Sequence, residues 1–361
     1  MSAGFSVRPT TQPIPVRERA AVLAAPGFGR YFTDHMASAT WTSAAGWHDR
    51  RISAREPFSL PPGTAVLHYA QQVFEGLKAY RHPDGSIWLF RPEVNARRFA
   101  RSAQRLALPQ LSEQDFLSSI EGLIQLDKAW VPTPTSEESL YLRPFMFASD
   151  PSIGLQPATE VRYSVIATPA GPFFTAGVTG ITLWVSNRYS RSARGGTGSI
   201  KCGSNYAAGM APQREAQQHG CEQVLYLDST DGTTLEECGA MNLFLVTAAG
   251  ELVTPALGTI LDGVTRATVL ALADVFGLTP VERPITLDEL RSGLVDGSVC
   301  EVFGTGTAAV ITPIVGFRRE GGDFAVGNGE PGKQTLALRQ HLLDVQYGRA
   351  TDEHGWMRRV L

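Results

Sequence analysis

The sequence predicts an α/β (α+β) protein of two domains, and three observations carry that prediction. Strand and helix signals are interspersed along the chain rather than segregated into blocks. A Gly/Pro-rich stretch, TPAGPFFTAG at 168–177, reads as a linker between two halves that each hold both kinds of element. The length of 361 residues, with 43% apolar and 19% charged, suffices for two domains with sizeable cores.

Taken in order, the N-terminal MSAGFSVRPTTQPIPVRERA lacks the apolar core of a signal peptide. Its acidic Glu18 and its prolines argue against an amphipathic transit helix, so it reads as a loose lead-in. VLHYA at 66–70 and SIWLFRP at 86–92 read as strands, being apolar and bounded by Gly or Pro. QQVFEGLKAY at 71–80 fits a short helix or a loop entering a strand. From Pro92 the apolar positions recur every three to four residues, through Val94, Phe99, Ala103 and Leu106, which predicts a helix. A second helix follows, with Ser112 as N-cap and Asp115 three residues on. Beyond the linker, ITLWVS is a strand, a long glycine-rich loop runs into the helix of AAGMAPQREAQQHG, and VLYLD is a strand. TRATVLALADVFG is a helix stopped by Gly277, and KQTLALRQHLLDVQYG is a last amphipathic helix.

Composition excludes several classes of function. A net charge of -3 makes no electrostatic case for nucleic acid or an anionic membrane. No apolar run reaches the roughly 20 residues that span a bilayer. Cys202, Cys221, Cys238 and Cys300 show no CxxC spacing and no neighbouring His in a ligand pattern, so no metal is expected, and reduced thiols fit a cytoplasmic protein.

The chemistry concentrates in residues 235–266, where LEECGAMNLFLV is followed by LVTPALGTILDGVTR. Glu237 precedes a buried apolar strand, and the segment ends by delivering Gly263, Val264 and Thr265 to a helix start. A carboxylate at one end and an anion-binding helix N-terminus at the other suit a ligand with a basic ring nitrogen and a phosphate. Pyridoxal phosphate is such a ligand. Lys201 lies in a glycine-rich loop. A loop lysine is ordinarily a solvated charge, but Ile200 and Cys202 suggest a buried strand end, where a lysine must be paired or deprotonated. Tyr206 can reach back to the same place. Thr307, in FGTGTAAV, adds a hydroxyl from a second glycine-rich turn. Arg98 can bracket a phosphate bidentately or be one charge on an arginine-rich helix.

The order Glu-x-Gly-x-x-Asn-Leu-Phe, Leu-x-Thr, Leu-x-Gly-Val-x-Arg resembles the signature of fold-type IV pyridoxal-phosphate enzymes. HYAQQVFEGLKAYR, RPEVNARRFARSAQRLALP, LYLRPFMFASDPSIGLQPA, GGTGSIKCGSNYAAG, EECGAMNLFLV and EVFGTGTAAVITP resemble the larger branched-chain amino-acid aminotransferases, from about Gly27 to Trp356. The resemblance implies a small N-terminal domain (1–169), an interdomain loop (170–182) and a large C-terminal domain (183–361), with the cofactor between the domains. It implies Lys201 as the Schiff-base lysine, Glu237 as the ring-nitrogen partner and Tyr206 as the ring-oxygen partner. Arg98, Val264, Thr265 and Thr307 fall on the phosphate group. For the substrate it points to Phe28, Tyr69, Phe74, Tyr141, Arg143, Phe173, Met241 and Ala308. Ile153 and Leu155 would reach into the partner subunit's pocket, so a homodimer is implied. Ala240 stands where animal members commonly carry threonine, and Phe173 replaces a tyrosine. Ala309 and Thr312 occupy the positions of a cysteine pair, so no thiol switch is expected there.

The activity so implied is reversible transfer of the amino group of L-leucine, L-isoleucine or L-valine to 2-oxoglutarate. D-amino-acid transamination or aminodeoxychorismate lysis on the same fold is an alternative, although such relatives are usually shorter and lack RPEVNARRF. A non-catalytic pyridoxal-phosphate carrier is a third reading, for which the substrate aromatics and Arg143 would be superfluous.

Overall fold

The computed structural model describes residues 4–173 and 178–361. The chain divides into two compact units. One comprises Met1–Phe173, Lys201–Gly203 and Asp344–Leu361; the other comprises Phe174–Ile200 and Ser204–Leu343.

The first unit opens with β1 (Ser6–Val7), α1 (Val16–Ala24), β2 (His35–Thr42) and β3 (Gly46–Ala54). It continues with α2 (Ala65–Tyr69), β4 (Gln72–Phe74), β5 (Leu77–Arg81), β6 (Ile87–Phe90), α3 (Pro92–Arg105) and α4 (Glu113–Leu126). Strands β7 (Ser139–Ala148) and β8 (Glu160–Ala170) complete its continuous part. The second unit carries β9 (Ile181–Val185), α5 (Gly203–Ala208), α6 (Met210–Gln218), β10 (Gln223–Leu227), β11 (Leu235–Cys238), β12 (Met241–Thr247) and β13 (Glu251–Thr254). Then come α7 (Val264–Leu272), β14 (Thr279–Glu282), α8 (Leu287–Asp296), β15 (Val299–Gly306), β16 (Val310–Arg318), β17 (Phe324–Ala325) and α9 (Lys333–Gln346). The last strand, β18 (Met357–Arg359), belongs to the first unit.

The first sheet runs β1-β3-β2-β8-β7-β5-β6-β18, with β4 added to β7. Helices α3 and α4 bring Phe99, Phe116, Ile120, Leu123 and Ile124 into a core with Tyr163 of β8, all nearly solvent-free. The Tyr163 hydroxyl meets Ser119 Oγ at 2.8 Å, so a buried polar tip is satisfied rather than stranded. Helix α4 starts as its sequence requires: the Asp115 amide donates to Ser112 Oγ at 3.0 Å. The second sheet runs β11-β10-β9-β16-β15-β12-β13-β14, and an added β11–β12 pairing joins six of these strands into a ring. Leu183, Leu225, Leu243, Leu245, Ile285 and Leu290 lie in its core.

Several sequence expectations are corrected. VLHYA is not a strand: Ala65–Tyr69 is a single helical turn ended by Ala70 in the left-handed region, with Leu67 and Tyr69 exposed. A short apolar run does not distinguish the two conformations by period, and here the apolar side chains are not buried as a strand would need. QQVFEGLKAY forms two strands, β4 and β5, broken at Glu75-Gly76. The N-terminal lead-in is tied down: β1 pairs parallel with β3, and the amides of Thr10 and Ile14 donate to His35 Nε2 and Asp34 Oδ1. Of the stretch expected to be linker, Thr168–Ala170 end β8, while 174–177 lie outside the described residues. The helix of TRATVLALADVFG tightens into a 3₁₀ turn at Ala273–Phe276 before Gly277 closes it at φ 68°.

Candidate active site

In the first unit, one face of α3 organises the site. Asn95, Arg98 and Ser102 are spaced three and four apart, so they share a face, and all are buried. Arg98 makes a two-pronged ion pair with Glu75, Nε to Oε1 at 2.7 Å and Nη2 to Oε2 at 2.8 Å. Asn95 Nδ2 donates to Glu75 Oε2 at 2.8 Å. Ser102 Oγ accepts the backbone amide of Lys201 at 3.1 Å. Lys201 is held on its other side by the Phe74 amide, which donates to its carbonyl at 3.0 Å, and by a β-bridge between Val73 and Cys202. Its Nζ lies 5.0 Å from the centre of the Phe74 ring. The expected setting of Lys201 between buried neighbours holds, since Ile200 and Cys202 are both buried.

Glu75 has no solvent exposure. Burial alone would lift its carboxyl, but the Arg98 guanidinium, with Lys201 and Asn95, outweighs burial and holds it below the usual range. Arg98 is thus no ordinary surface charge of an arginine-rich helix. Glu75 escaped the sequence reading because FEG fits helix or loop equally; only its position between two strands buries it.

The predicted substrate side chains of this unit gather on β7 and near it. Tyr141 and Arg143 alternate onto one face of the strand. Arg143 Nη2 donates to Tyr141 Oη at 3.2 Å, and its guanidinium lies over the Phe74 and Tyr141 rings at 4.8 and 5.4 Å. Phe28 packs edge-on against Tyr141, ring centres 5.1 Å apart. Gly76 is demanded here: a Cβ on it would sit 1.9 Å from Tyr141 Oη. Tyr69 donates its hydroxyl to the Ile153 carbonyl. Ile153 and Leu155 are 65% and 84% exposed, unusual for apolar side chains, and Phe173 is half exposed.

The second unit holds the carboxylate and the helix N-terminus. Glu237 lies on β11, opposite Asn242 of β12, and is 2% exposed. Its Oε1 accepts from the Leu261 amide at 2.6 Å and from Asn242 Nδ2 at 3.0 Å. Its Oε2 pairs with Arg191 Nε at 2.6 Å. The neighbouring Glu236 faces the other side of the strand, and burial lifts its carboxyl above the usual range. Arg191 was invisible in the sequence, since nothing local links a loop arginine to a strand so far along the chain. Helix α7 begins at Val264 with Gly263 as N-cap, and no side chain caps it. Its first amides, with the Thr265 hydroxyl nearby, are donors of the kind that suit an anion. Thr307 and Ala308 form the β15–β16 turn, and Met241 opens β12, with 8% exposure. Tyr206 lies on α5 and lines a cavity of about 250 Å³ with Arg191, Tyr226 and Ala240.

The donor set fits a pyridoxal phosphate. A buried paired carboxylate suits the ring nitrogen, helix amides with threonine hydroxyls suit the phosphate, and a lysine amine suits the aldehyde. Among the described residues no cluster of His, Cys, Asp or Glu is arranged to hold a metal, and no helix is long and apolar enough to cross a membrane.

The chain is similar to known proteins in both sequence and fold. Residues 72–317 match the family model described as amino-transferase class IV. A branched-chain-amino-acid aminotransferase of Mycobacterium tuberculosis (strain H37Rv) is 47% identical over 363 residues, which cover 99% of each chain. The crystal structure of the Escherichia coli branched-chain amino acid aminotransferase superposes with a TM-score of 0.74 at 26% identity, covering 90% of this chain and 100% of that one. A T.th. branched-chain amino acid aminotransferase complexed with N-(5'-phosphopyridoxyl)-L-glutamate gives 0.72 at 25% identity, covering 90% and 99%. With a family model over most of its length and a full-length relative at 47% identity, the chain belongs to the class IV aminotransferase family, among its branched-chain amino-acid aminotransferases.

Proposed function

We propose that this aminotransferase carries pyridoxal phosphate on Lys201 and moves the amino group of L-leucine, L-isoleucine or L-valine to 2-oxoglutarate, in both directions. The observation that carries this reading is Glu237: an acid so buried, paired with Arg191 and braced by Asn242, is suited to hold a ring nitrogen in its protonated form. The full-length likeness to branched-chain amino-acid aminotransferases supports the substrate class, and the D-amino-acid and lyase alternatives are not favoured.

When bound, the cofactor supplies an aldehyde carbon that exchanges amines and a ring that takes up an electron pair. The Lys201 amine would hold the cofactor's aldehyde end. Lys201 would also serve as base and acid, taking up and returning the proton of the substrate Cα. Tyr206 hydrogen-bonds the ring oxygen. The amides of Val264 and Thr265, the hydroxyls of Thr265 and Thr307, and Arg98 bind the phosphate. Phe28, Phe74, Phe173, Met241 and Ala308 surround the branched side chain, each buried methylene contributing roughly 0.8 kcal/mol. Tyr69, Tyr141 and Arg143 receive carboxylates, including the second one of glutamate. Ile153 and Leu155 reach the partner subunit's pocket in a homodimer, which accounts for apolar side chains left so exposed on one chain. The enzyme acts in the cytoplasm.

Half-reactions test this reading. L-leucine should change the cofactor's absorbance and 2-oxoglutarate should restore it, in the ping-pong order. Lys201→Ala should abolish turnover yet still bind the phosphate end of the cofactor. A response to D-alanine but not to L-leucine, or undiminished turnover in Lys201→Ala, would sink it.

A further inference from the structure

One guanidinium in the second unit touches three separate stretches of chain. Arg191 follows β9 in a loop, and its side chain is 8% exposed. Nε donates to Glu237 Oε2 at 2.6 Å, while Nη1 donates to the carbonyls of Gly198 at 2.9 Å and Thr259 at 3.0 Å. Those two carbonyls belong to loops that meet backbone to backbone: a Cβ on Gly198 would lie 1.8 Å from Thr259 O. In sequence, Gly198 immediately precedes the segment of Lys201, and Thr259 precedes the start of α7. Arg191 also lines the cavity of Tyr206. Only a planar fork with donors in fixed directions satisfies a carboxylate and two carbonyls together.

We propose that Arg191 is a positioning residue for transamination. It fixes the charge and direction of Glu237, and it locks the loop before Lys201 against the loop before α7, so that the phosphate-binding amides keep their place. The charge half of this proposal rests on Glu237 being the ring-nitrogen partner; the loop half does not.

Arg191→Gln, Arg191→Lys and Glu237→Gln holoenzymes are to be compared in the L-leucine half-reaction and in steady state. Their apo-proteins are to be titrated with pyridoxal phosphate by fluorescence. Arg191→Gln is expected to lower both the saturated half-reaction rate and the cofactor affinity about tenfold or more, the scale of one lost charged hydrogen bond, with the KM for leucine within about twofold. Arg191→Lys keeps the charge but not the fork, so the rate should return toward wild type while the affinity loss persists. A purely structural role would not separate the two readouts in this way. Wild-type rate and affinity in Arg191→Gln overturn the proposal, as does a rate in Arg191→Lys as low as in Arg191→Gln. An unchanged rate in Glu237→Gln removes the reading of Glu237 and the charge half with it, while the affinity measurement still decides the loop half. If Arg191→Gln does not fold, Arg191→Lys decides: rate kept with affinity lost supports the proposal, and both kept overturns it.

Discussion

Replacing Glu75 by Gln should destabilise the first unit far more than the loss of one surface charge. The substitution keeps shape but removes the counter-charge from Arg98, which is 3% exposed and paired through both Nε and Nη2. Breaking a buried pair from one side costs about 3–5 kcal/mol, because the remaining ion is left without compensation. For a unit of roughly 200 residues, at about 2–4 °C per kcal/mol, the midpoint of thermal unfolding should fall by roughly 6–20 °C. The pH dependence gives a second handle. The folded Glu75 carboxyl lies below its ordinary 4.5, so its stabilisation is fully present above that value and is lost as pH falls through the folded value. The gap between wild type and Glu75→Gln should therefore be widest at neutral pH and should close in acid. A double variant, Glu75→Leu with Arg98→Met, removes both charges and should lose less stability than the two single variants summed. Scanning calorimetry across pH is the assay. A pH-independent gap of under about 1 kcal/mol, or strictly additive singles, would refute the reasoning, since either would make this an ordinary exposed pair.

Two further perturbations follow from packing and capping. Gly76→Ala should push Tyr141 off its position and disturb Arg143 behind it, raising the KM for amino acids more than it lowers kcat and costing about 1–3 kcal/mol of stability; steady-state kinetics beside thermal melts checks both. Ser112→Ala should remove the cap of α4 and cost about 1 kcal/mol without touching kinetics, which a urea titration would read.

What the sequence made legible was chemistry settled within a few residues. Ser112 declares a helix start because its hydroxyl serves an amide three residues on, and Gly277 declares a helix end because it readily takes φ 68°. Glu237 and the α7 N-terminus were visible because their motif is contiguous. The partners that give those residues their character were not. Arg191 reaches Glu237, and Glu75 reaches Arg98, only through strand pairing that no local pattern encodes. The turn at Ala65–Tyr69 has the same origin: so short and mostly apolar a run satisfies either period, and whether it is buried decides, which is a property of the whole unit.

The order of strands in the first sheet has a consequence for biosynthesis. Its two outermost strands, β1 and β18, come from opposite ends of the chain, and each is only two or three residues long. Such stubs end a sheet with few unpaired groups to recruit another strand. They also mean that a ribosome delivers one margin of this sheet first and the other last. Until Met357–Arg359 emerge, β6 has nothing on that side, and residues 201–203, which brace β4, arrive long after β4 itself. At roughly 5–20 residues per second, the first half of the chain waits for many seconds with an open margin. This sheet therefore closes on the β6 side only once Met357–Arg359 have left the ribosome, long after its central strands are available to pair.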